Sequence, residues 1–79
     1  MKSLCMINVK AGMVDKVLQI LKKKRSVSKD IMIVTGRADI CVILNGEINE
    51  INKFVTDLKK IIEIVSTETL IEVEVDMGW

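Results

Sequence analysis

Residues 31–44 have the sequence IMIVTGRADICVIL, in which two wholly apolar runs flank a short polar segment. A strand with one face in water alternates apolar and polar residues. Both of these runs are apolar at successive positions, so each is expected to be covered on both faces. The segment between them contains Gly36, which can adopt positive φ without steric cost, followed by Arg37 and Asp39. The stretch therefore predicts a β-hairpin with its polar groups gathered at one end.

The composition describes one small aliphatic domain. The chain has 79 residues, of which 49% are apolar, and it contains no proline, tyrosine or histidine. A domain of this length buries only about 60 to 65% of the surface of its unfolded chain, so a second copy would supply much of the missing burial. We therefore expect residues 1–79 to form a single domain that associates with itself.

The distribution of charge argues against nucleic-acid and membrane partners. The formal net charge is +1, and the one basic run, residues 22–25, falls where the first helix should end and where cations interact favourably with the helix dipole. No apolar run is long enough to span a membrane, and the N-terminal residues lack the pattern of a signal peptide. These features predict a cytoplasmic protein.

The inventory of reactive side chains predicts neither catalysis nor a cofactor. Cys5 and Cys41 lie within apolar strand patterns, and without histidine their spacing fits no metal site and no catalytic dyad. We expect both to be small buried residues, a disulfide between adjacent strands being the less favoured alternative. No nucleophile stands beside a base, so we expect no catalytic residues, no metal ligands and no cofactor.

The period of the apolar residues divides the chain into six elements. In order, these are a strand from Leu4 to Val9, a helix from Met13 to about Arg25, a strand over 31–34, a strand over 40–44, a helix with the apolar stripe Ile48, Ile51, Val55, Leu58 and Ile62, and a long strand alternating from Thr67 to Val75. This β-α-β-β-α-β order predicts an α+β, ferredoxin-like sandwich with a four-stranded antiparallel sheet of order 4-1-3-2 and two helices on one face. Strands one and three are expected to be parallel neighbours in its centre.

Two helices can cover only one face of such a sheet, yet the strands are apolar on the other face too. We expect that second face to meet another copy, giving at least a homodimer through the sheet. Trp79 either belongs to a frayed tail or anchors an interface.

Two short motifs resemble a known family. Residues 34–39, VTGRAD, and residues 67–70, TETL, resemble the Val-Thr-Gly-x-x-Asp hairpin and the Thr-x-Thr strand of the C-terminal ligand-binding module of the Lrp/AsnC family of transcriptional regulators. Residues 8–12, NVKAG, resemble the end of that module's first strand, and the similarity covers essentially the whole chain. The family's longer members carry a helix-turn-helix domain before this module. The chain opens on the first strand, so we expect the stand-alone RAM form without DNA binding.

The resemblance implies that a free amino acid binds where dimers meet and that binding is coupled to assembly into rings such as octamers. The hairpin offers suitable chemistry: Asp39 can accept from an ammonium group, and the Arg37 guanidinium or nearby backbone N–H groups can donate to a carboxylate. Candidate ligand-binding residues are Val34, Thr35, Gly36, Arg37, Asp39, Asp57, Thr67 and Thr69. Each has a plainer alternative, since Asp39 can cap the turn, Asp57 can be a surface charge and the threonines can be ordinary strand residues.

Three functional hypotheses follow. The favoured one is a non-enzymatic amino-acid sensor that acts in transcription regulation. The alternative is an oligomerisation partner of full-length Lrp/AsnC regulators that senses no ligand. An enzyme is disfavoured by the missing catalytic groups, and RNA binding by the lack of stacking aromatics on the central strands.

Overall fold

The computed structural model describes residues 1–24 and 27–73. Its elements are β1 (Lys2–Val9), α1 (Val14–Lys22), β2 (Ser28–Ile33), β3 (Ile40–Asn45), α2 (Ile48–Leu58) and β4 (Ile64–Ile71). The strands form one sheet of order β2-β3-β1-β4, in which every neighbouring pair is antiparallel. The predicted ferredoxin-like α+β fold and its strand order are confirmed.

The expectation that the two central strands are parallel is wrong. β1 and β3 pair antiparallel, with Leu4 opposite Ile43 and Met6 opposite Cys41. The crossover through α1 joins β1 to β2, and these are the strands that share a direction. The hairpin turns β3 back between them, so β3 is antiparallel to both.

Helix α1 ends at Lys22, about one turn before the predicted end. The N–H groups of Lys23 and Lys24 donate to the carbonyls of Ile20 and Leu21, three residues back, at 3.2 and 2.9 Å. Such bonds tighten the last turn and satisfy carbonyls that would otherwise lack partners. Arg25 lies outside the described residues.

Helix α2 buries part of the predicted stripe together with one residue outside it. Its buried residues are Ile51, Phe54 and Leu58, whereas Ile62 lies beyond the end of the helix with 75% of its surface exposed. Phe54 was missing from the predicted stripe, although it lies three residues after Ile51 and therefore on the same face. The helix begins at a capping box in which the Glu47 N–H donates to the Glu50 carboxylate at 2.9 Å.

Strand β4 begins three residues earlier than the predicted alternation and ends at Ile71. A further backbone bond, from the Glu72 N–H to the Lys2 carbonyl at 3.0 Å, continues the pairing with β1 by one residue. Val75 and Trp79, on which predictions were also made, lie outside the described residues.

The two faces of the sheet differ in their cover. The core lies between the helices and the face that contains Cys5, Ile7, Ile40, Val42 and Leu44, all of which are fully buried. The other face, which we call the open face, carries an apolar set on which no element of the described chain packs. That set is Leu4, Met6, Met32, Cys41, Ile43 and Leu70.

The cover expected on both faces of residues 31–34 and 40–44 is therefore present on one face only within a single chain. On the open face, Met32 and Leu70 are 40% and 50% exposed, while the residues of the two central strands are half-buried by their neighbours. Exposed apolar surface of this kind typically marks an interaction site.

The two cysteines lie on opposite faces of the sheet. Cys5 pairs with Val42, so Cys41, the next residue along β3, points to the open face. Cys5 is buried in the core and Cys41 is half-buried, and both are free thiols. The neighbouring strands that made a disulfide conceivable therefore hold the two thiols on different faces.

Candidate functional site

The loop between β2 and β3, residues 34–39, contains five of the eight candidate ligand-binding residues. Its base is closed by a bond from the Val34 N–H to the Asp39 carbonyl at 2.9 Å. The Asp39 N–H donates to the Ile7 carbonyl at 2.9 Å, and the Asp39 carboxylate accepts from the Val9 N–H at 2.9 Å. Asp39 thus bonds the loop to the last residues of β1 through both its backbone N–H and its side chain.

The tip of this loop is exposed. Thr35, Gly36 and Arg37 are exposed, and Val34 is half-buried beside them. Gly36 has φ of +108°, a conformation that residues with a Cβ rarely adopt, so the tip depends on glycine. The tip, which includes Arg37, is therefore exposed on a base that is fixed to the sheet.

The two threonines of the Thr-x-Thr motif lie on β4, on the far side of β1 from the loop. Thr67 pairs with Ile7 and Thr69 with Cys5, so both lie on the helix-covered side of the sheet. The Thr69 hydroxyl donates to the Cys5 Sγ at 3.6 Å, and this bond opposes the effect of burial, which raises the pKa of the Cys5 thiol. Two strand spacings, about 10 Å, separate β4 from β3, so one chain does not gather these hydroxyls around Asp39.

Asp57 lies in the last turns of α2 and is paired within its own helix region. Its carboxylate oxygens lie 3.7 Å from the ammonium groups of Lys53 and of Lys60. α2 returns toward the end of the sheet at which the loop lies, but Asp57 and Asp39 have no bond in common. The structure places Asp57 as a partly shielded surface charge.

A second polar contact lies at the same end of the molecule. The Lys16 ammonium is 2.8 Å from the Glu63 carboxylate, and the Glu63 carbonyl accepts from the Lys10 N–H at 2.9 Å. The hydrogen bond from Lys16, followed by one from the Glu63 backbone N–H, lowers the pKa of the Glu63 carboxyl. These bonds tie the start of α1 and the end of β1 to the segment that precedes β4.

Three grooves of the described chain lie away from the loop. One is between α1 and β2, with a lining that includes Leu18, Ile31 and Ile33. Another is beside the start of β4, with a lining that includes Lys59 and Thr67. The third is on the open face beside the end of β4, with a lining that includes Leu4, Ile43 and Leu70. The loop residues line none of these three grooves.

The sequence pattern missed the anchors of the loop. Ile7 and Val9 hold Asp39 through backbone groups, and a backbone N–H or carbonyl leaves no trace in residue identity. The side-chain candidates were identifiable because their chemistry is in the sequence.

Neither helix of the described chain has the length and hydropathy needed to cross a bilayer.

Comparison with known families and curated proteins found no match by sequence. Comparison with solved structures found several. The protein FFRP-DM1 superposes with a TM-score of 0.81 at 23% identity over 91% of this chain and 97% of that one. A hypothetical protein of Pyrococcus horikoshii gives 0.79 at 23% identity over 92% and 89% of the two chains.

A longer protein also contains this fold. MtbAldR superposes with a TM-score of 0.71 at 12% identity, over 96% of this chain but only 56% of that one. At these identities the likeness is one of fold. The chain shares the ferredoxin-like α+β fold of these solved structures.

Proposed function

We propose that this chain is a non-enzymatic regulatory module that binds a free amino acid between subunits and couples that binding to assembly. The observation that carries the proposal is the loop of residues 34–39, which is bonded to β1 at its base and exposed at its tip. A loop fixed in this way is preorganised, so a ligand would lose less free energy in ordering it.

The polar groups of the loop suit a zwitterion. The Asp39 carboxylate uses Oδ2 for the Val9 N–H, and Oδ1 accepts no hydrogen bond from the described residues, so it can accept one from an ammonium group. Backbone N–H groups near Gly36 and the Arg37 guanidinium can donate to a carboxylate. Val34 and Thr35 complete the loop's contribution to the proposed site.

The remaining walls are proposed to come from a neighbouring copy. Thr67, which lines a groove at the edge of β4, and Asp57, near the end of α2, are proposed to contact the ligand of an adjoining subunit rather than that of their own loop. Thr69 is committed to Cys5 within the chain and is the weakest of the predicted contacts. A ligand held between subunits stabilises the assembly that holds it.

Isothermal titration of the full chain with each of the twenty amino acids tests the proposal, with light scattering before and after each titration. We expect saturable heat with at least one amino acid and a change in mass or in its concentration dependence. Asp39→Asn should abolish the heat, because it removes the charge, while the control Asp15→Asn, an exposed aspartate on α1 away from the open face, should retain it. No heat with any amino acid would contradict the proposal.

The second candidate is an oligomerisation partner of full-length Lrp/AsnC regulators that senses no ligand. The open face favours it, because apolar surface without cover can accept a related sheet as well as a second copy. This candidate predicts that the purified chain binds a helix-turn-helix regulator of the family and shows no heat with amino acids.

A further inference from the structure

The two outer strands of the sheet each have one unpaired edge. The sheet has the order β2-β3-β1-β4, so within the described chain β2 pairs only with β3, and β4 pairs only with β1. Because every neighbouring pair is antiparallel, β2 and β4 run in opposite directions. When a second copy lies beside the first in the same orientation, its β4 is therefore antiparallel to the first copy's β2, and the alternation of the sheet continues.

The unpaired backbone groups of β2 follow from its bonds to the neighbouring strand. The Val34 N–H donates to the Asp39 carbonyl, so the backbone groups of Val34 point toward the β3 side. In an antiparallel strand these groups point alternately to the two sides. Those of Ile33 and Ile31 therefore point away from β3, where another strand can bind them.

The same reasoning gives the unpaired groups of β4. The Glu72 N–H donates to the Lys2 carbonyl, so the backbone N–H of Glu72 points toward β1. The backbone groups of Ile71 and Thr69 therefore point away from β1. Both outer edges of the sheet thus present donors and acceptors to a further strand.

A groove on the helix side of the sheet lies beside the free edge of β2. It is situated between α1 and β2, has a volume of about 490 Å³ and includes Leu18, Ile31 and Ile33 in its lining. Ile33 is 57% exposed, so α1 leaves it largely uncovered. On β4, Ile71 pairs with Ser3 and so lies on this same side of the sheet, where it is 41% exposed. A β4 strand beside β2 can therefore place an apolar side chain over the groove.

We propose that β4 of one copy pairs with β2 of a second copy, with Ile71 over the groove between α1 and β2. This contact uses the strand edges and the helix side of the sheet, which both stay accessible when a copy covers the open face. A pair of strands along the six residues of β2 is a small contact beside the roughly 1,000 Å² that a stable interface buries. We therefore expect it between dimers that the open face already holds together.

Charge favours this pairing over the two symmetric ones. The groove beside β2 is lined by Lys22 and Lys29 together with one acidic residue, Asp30. Residues 64–73 contain Glu68 and Glu72 and no basic residue. Pairing β4 with β4 would oppose like charges, which destabilises a strand pair, whereas pairing β4 with β2 brings acidic and basic side chains together.

The same pairing brings a threonine of the neighbouring copy to the loop of residues 34–39. This loop follows the end of β2, and an antiparallel partner strand begins at that end. The start of the neighbour's β4, with Thr67, therefore lies about one strand spacing, roughly 5 Å, from the end of β2. Within one chain, β3 and β1 separate β2 from β4. This step rests on the proposed function, because it supplies the amino acid with a second wall.

Light scattering of the full chain over a range of concentrations, without amino acid, tests the contact. We expect the mass to rise above that of the open-face dimer. Ile33→Pro and Ile71→Pro each remove an outward N–H, a change that edge strands tolerate, and each should hold the mass at that of the dimer. Ile62→Pro is the control, at the second position of the turn that the Ile64 N–H and the Ile61 carbonyl close. Proline is favoured at that position, so this variant should assemble as the wild type does.

An equal mixture of Ile33→Pro and Ile71→Pro distinguishes this contact from a symmetric one, once thermal unfolding has shown that both variants are folded. Ile33→Pro keeps a normal β4 edge and Ile71→Pro keeps a normal β2 edge, so the mixture should gain mass that neither variant gains alone. The proposal is overturned if the wild type never exceeds the dimer, if either variant alone assembles as the wild type does, or if the mixture gains no mass. Assembly of this kind without heat from any amino acid would contradict the proposed function and support this contact.

Discussion

The carboxylate of Asp39 both fixes the loop to β1 and belongs to the proposed ligand site, so two substitutions are needed to separate these roles. Asp39→Ala removes the acceptor of the Val9 N–H and should lower the free energy of unfolding by about 1 kcal/mol or more. Asp39→Asn keeps an acceptor oxygen and should cost less. Urea unfolding of both variants measures the difference, and equal losses would show that the bond contributes nothing.

Glu63 gives a residue-scale prediction in pH. Its pKa is lowered in the folded chain from an ordinary value of 4.5, chiefly by the hydrogen bond from Lys16, so the folded state favours the ionised form. The stabilisation is therefore fully present above pH 4.5 and is lost as pH falls through the folded-state pKa.

We expect Glu63→Gln to be less stable than the wild type at pH 7 and to approach it in acid. Thermal unfolding across this pH range checks the trend. Lys16→Met, alone and combined with Glu63→Gln, completes a double-mutant cycle that isolates the interaction of these two side chains. A stability difference that stays constant down to pH 2 would contradict the role given to this pair.

At the residue scale, side-chain chemistry was predictable and backbone anchoring was not. Residue type alone made Asp39, Gly36 and Arg37 candidates. A carboxylate can accept from an ammonium group, a guanidinium can donate to a carboxylate, and glycine can adopt positive φ. The sequence left Asp39 open between ligand and turn cap, and its bond to Val9 gives it a structural role alongside the proposed one. The set of residues that share the open face could be identified only from the register of the strands, which the sequence of a single strand does not reveal.

At the element scale, α2 shows how a helix can be predicted correctly while its buried stripe is predicted only in part. The apolar period predicted the helix, but counting from Ile48 to Ile62 carried the stripe past the last turn, where residues 59–61 form bonds three residues back. The buried face is centred on Phe54 instead. The residue at which a helix ends depends on these local hydrogen bonds, so it is harder to predict from the sequence than the period of the apolar residues.

Phe54→Ala should therefore destabilise the domain severely. Removing a buried aromatic ring costs about 3 to 5 kcal/mol, which approaches the entire stability expected of a small domain. Asn52→Ala, an exposed change on the same helix, should alter the free energy of unfolding by no more than about 0.5 kcal/mol. Chemical unfolding of both variants checks this, and a loss below about 1 kcal/mol for Phe54→Ala would place the core of α2 elsewhere.

At the scale of the whole molecule, the order of the strands was predicted correctly from the sequence, but the relative direction of the two central strands was not. The cover of the sheet could only be half predicted. Residues 31–34 and 40–44 are apolar at successive positions, a pattern typical of strands that are covered on both faces. The helices cover one face, and a single chain holds no information about what covers the other. The candidate site has the same limit, because its remaining walls are proposed to come from another copy.

The open face yields a prediction with a matched control. Ile43→Lys places a charge at the centre of the open apolar set, so it should convert the proposed dimer to a monomer while the helix-covered core stays intact. Ile62→Lys makes the same change at an isoleucine that is 75% exposed and lies off this face, so it should leave the mass unchanged. Light scattering at matched concentrations compares the masses of the two variants. If Ile62→Lys alone lowered the mass, the interface would lie on the surface that contains Ile62 and not on the open face.

Sedimentation velocity of the unmodified chain at micromolar concentration tests most directly whether another copy completes this fold and its site. The account predicts a species of at least twice the 8.9 kDa mass of one chain, and a larger one when an amino acid that binds is present. A folded species of 8.9 kDa at every concentration, with and without amino acids, would leave the open face in water and the proposed site without its second wall.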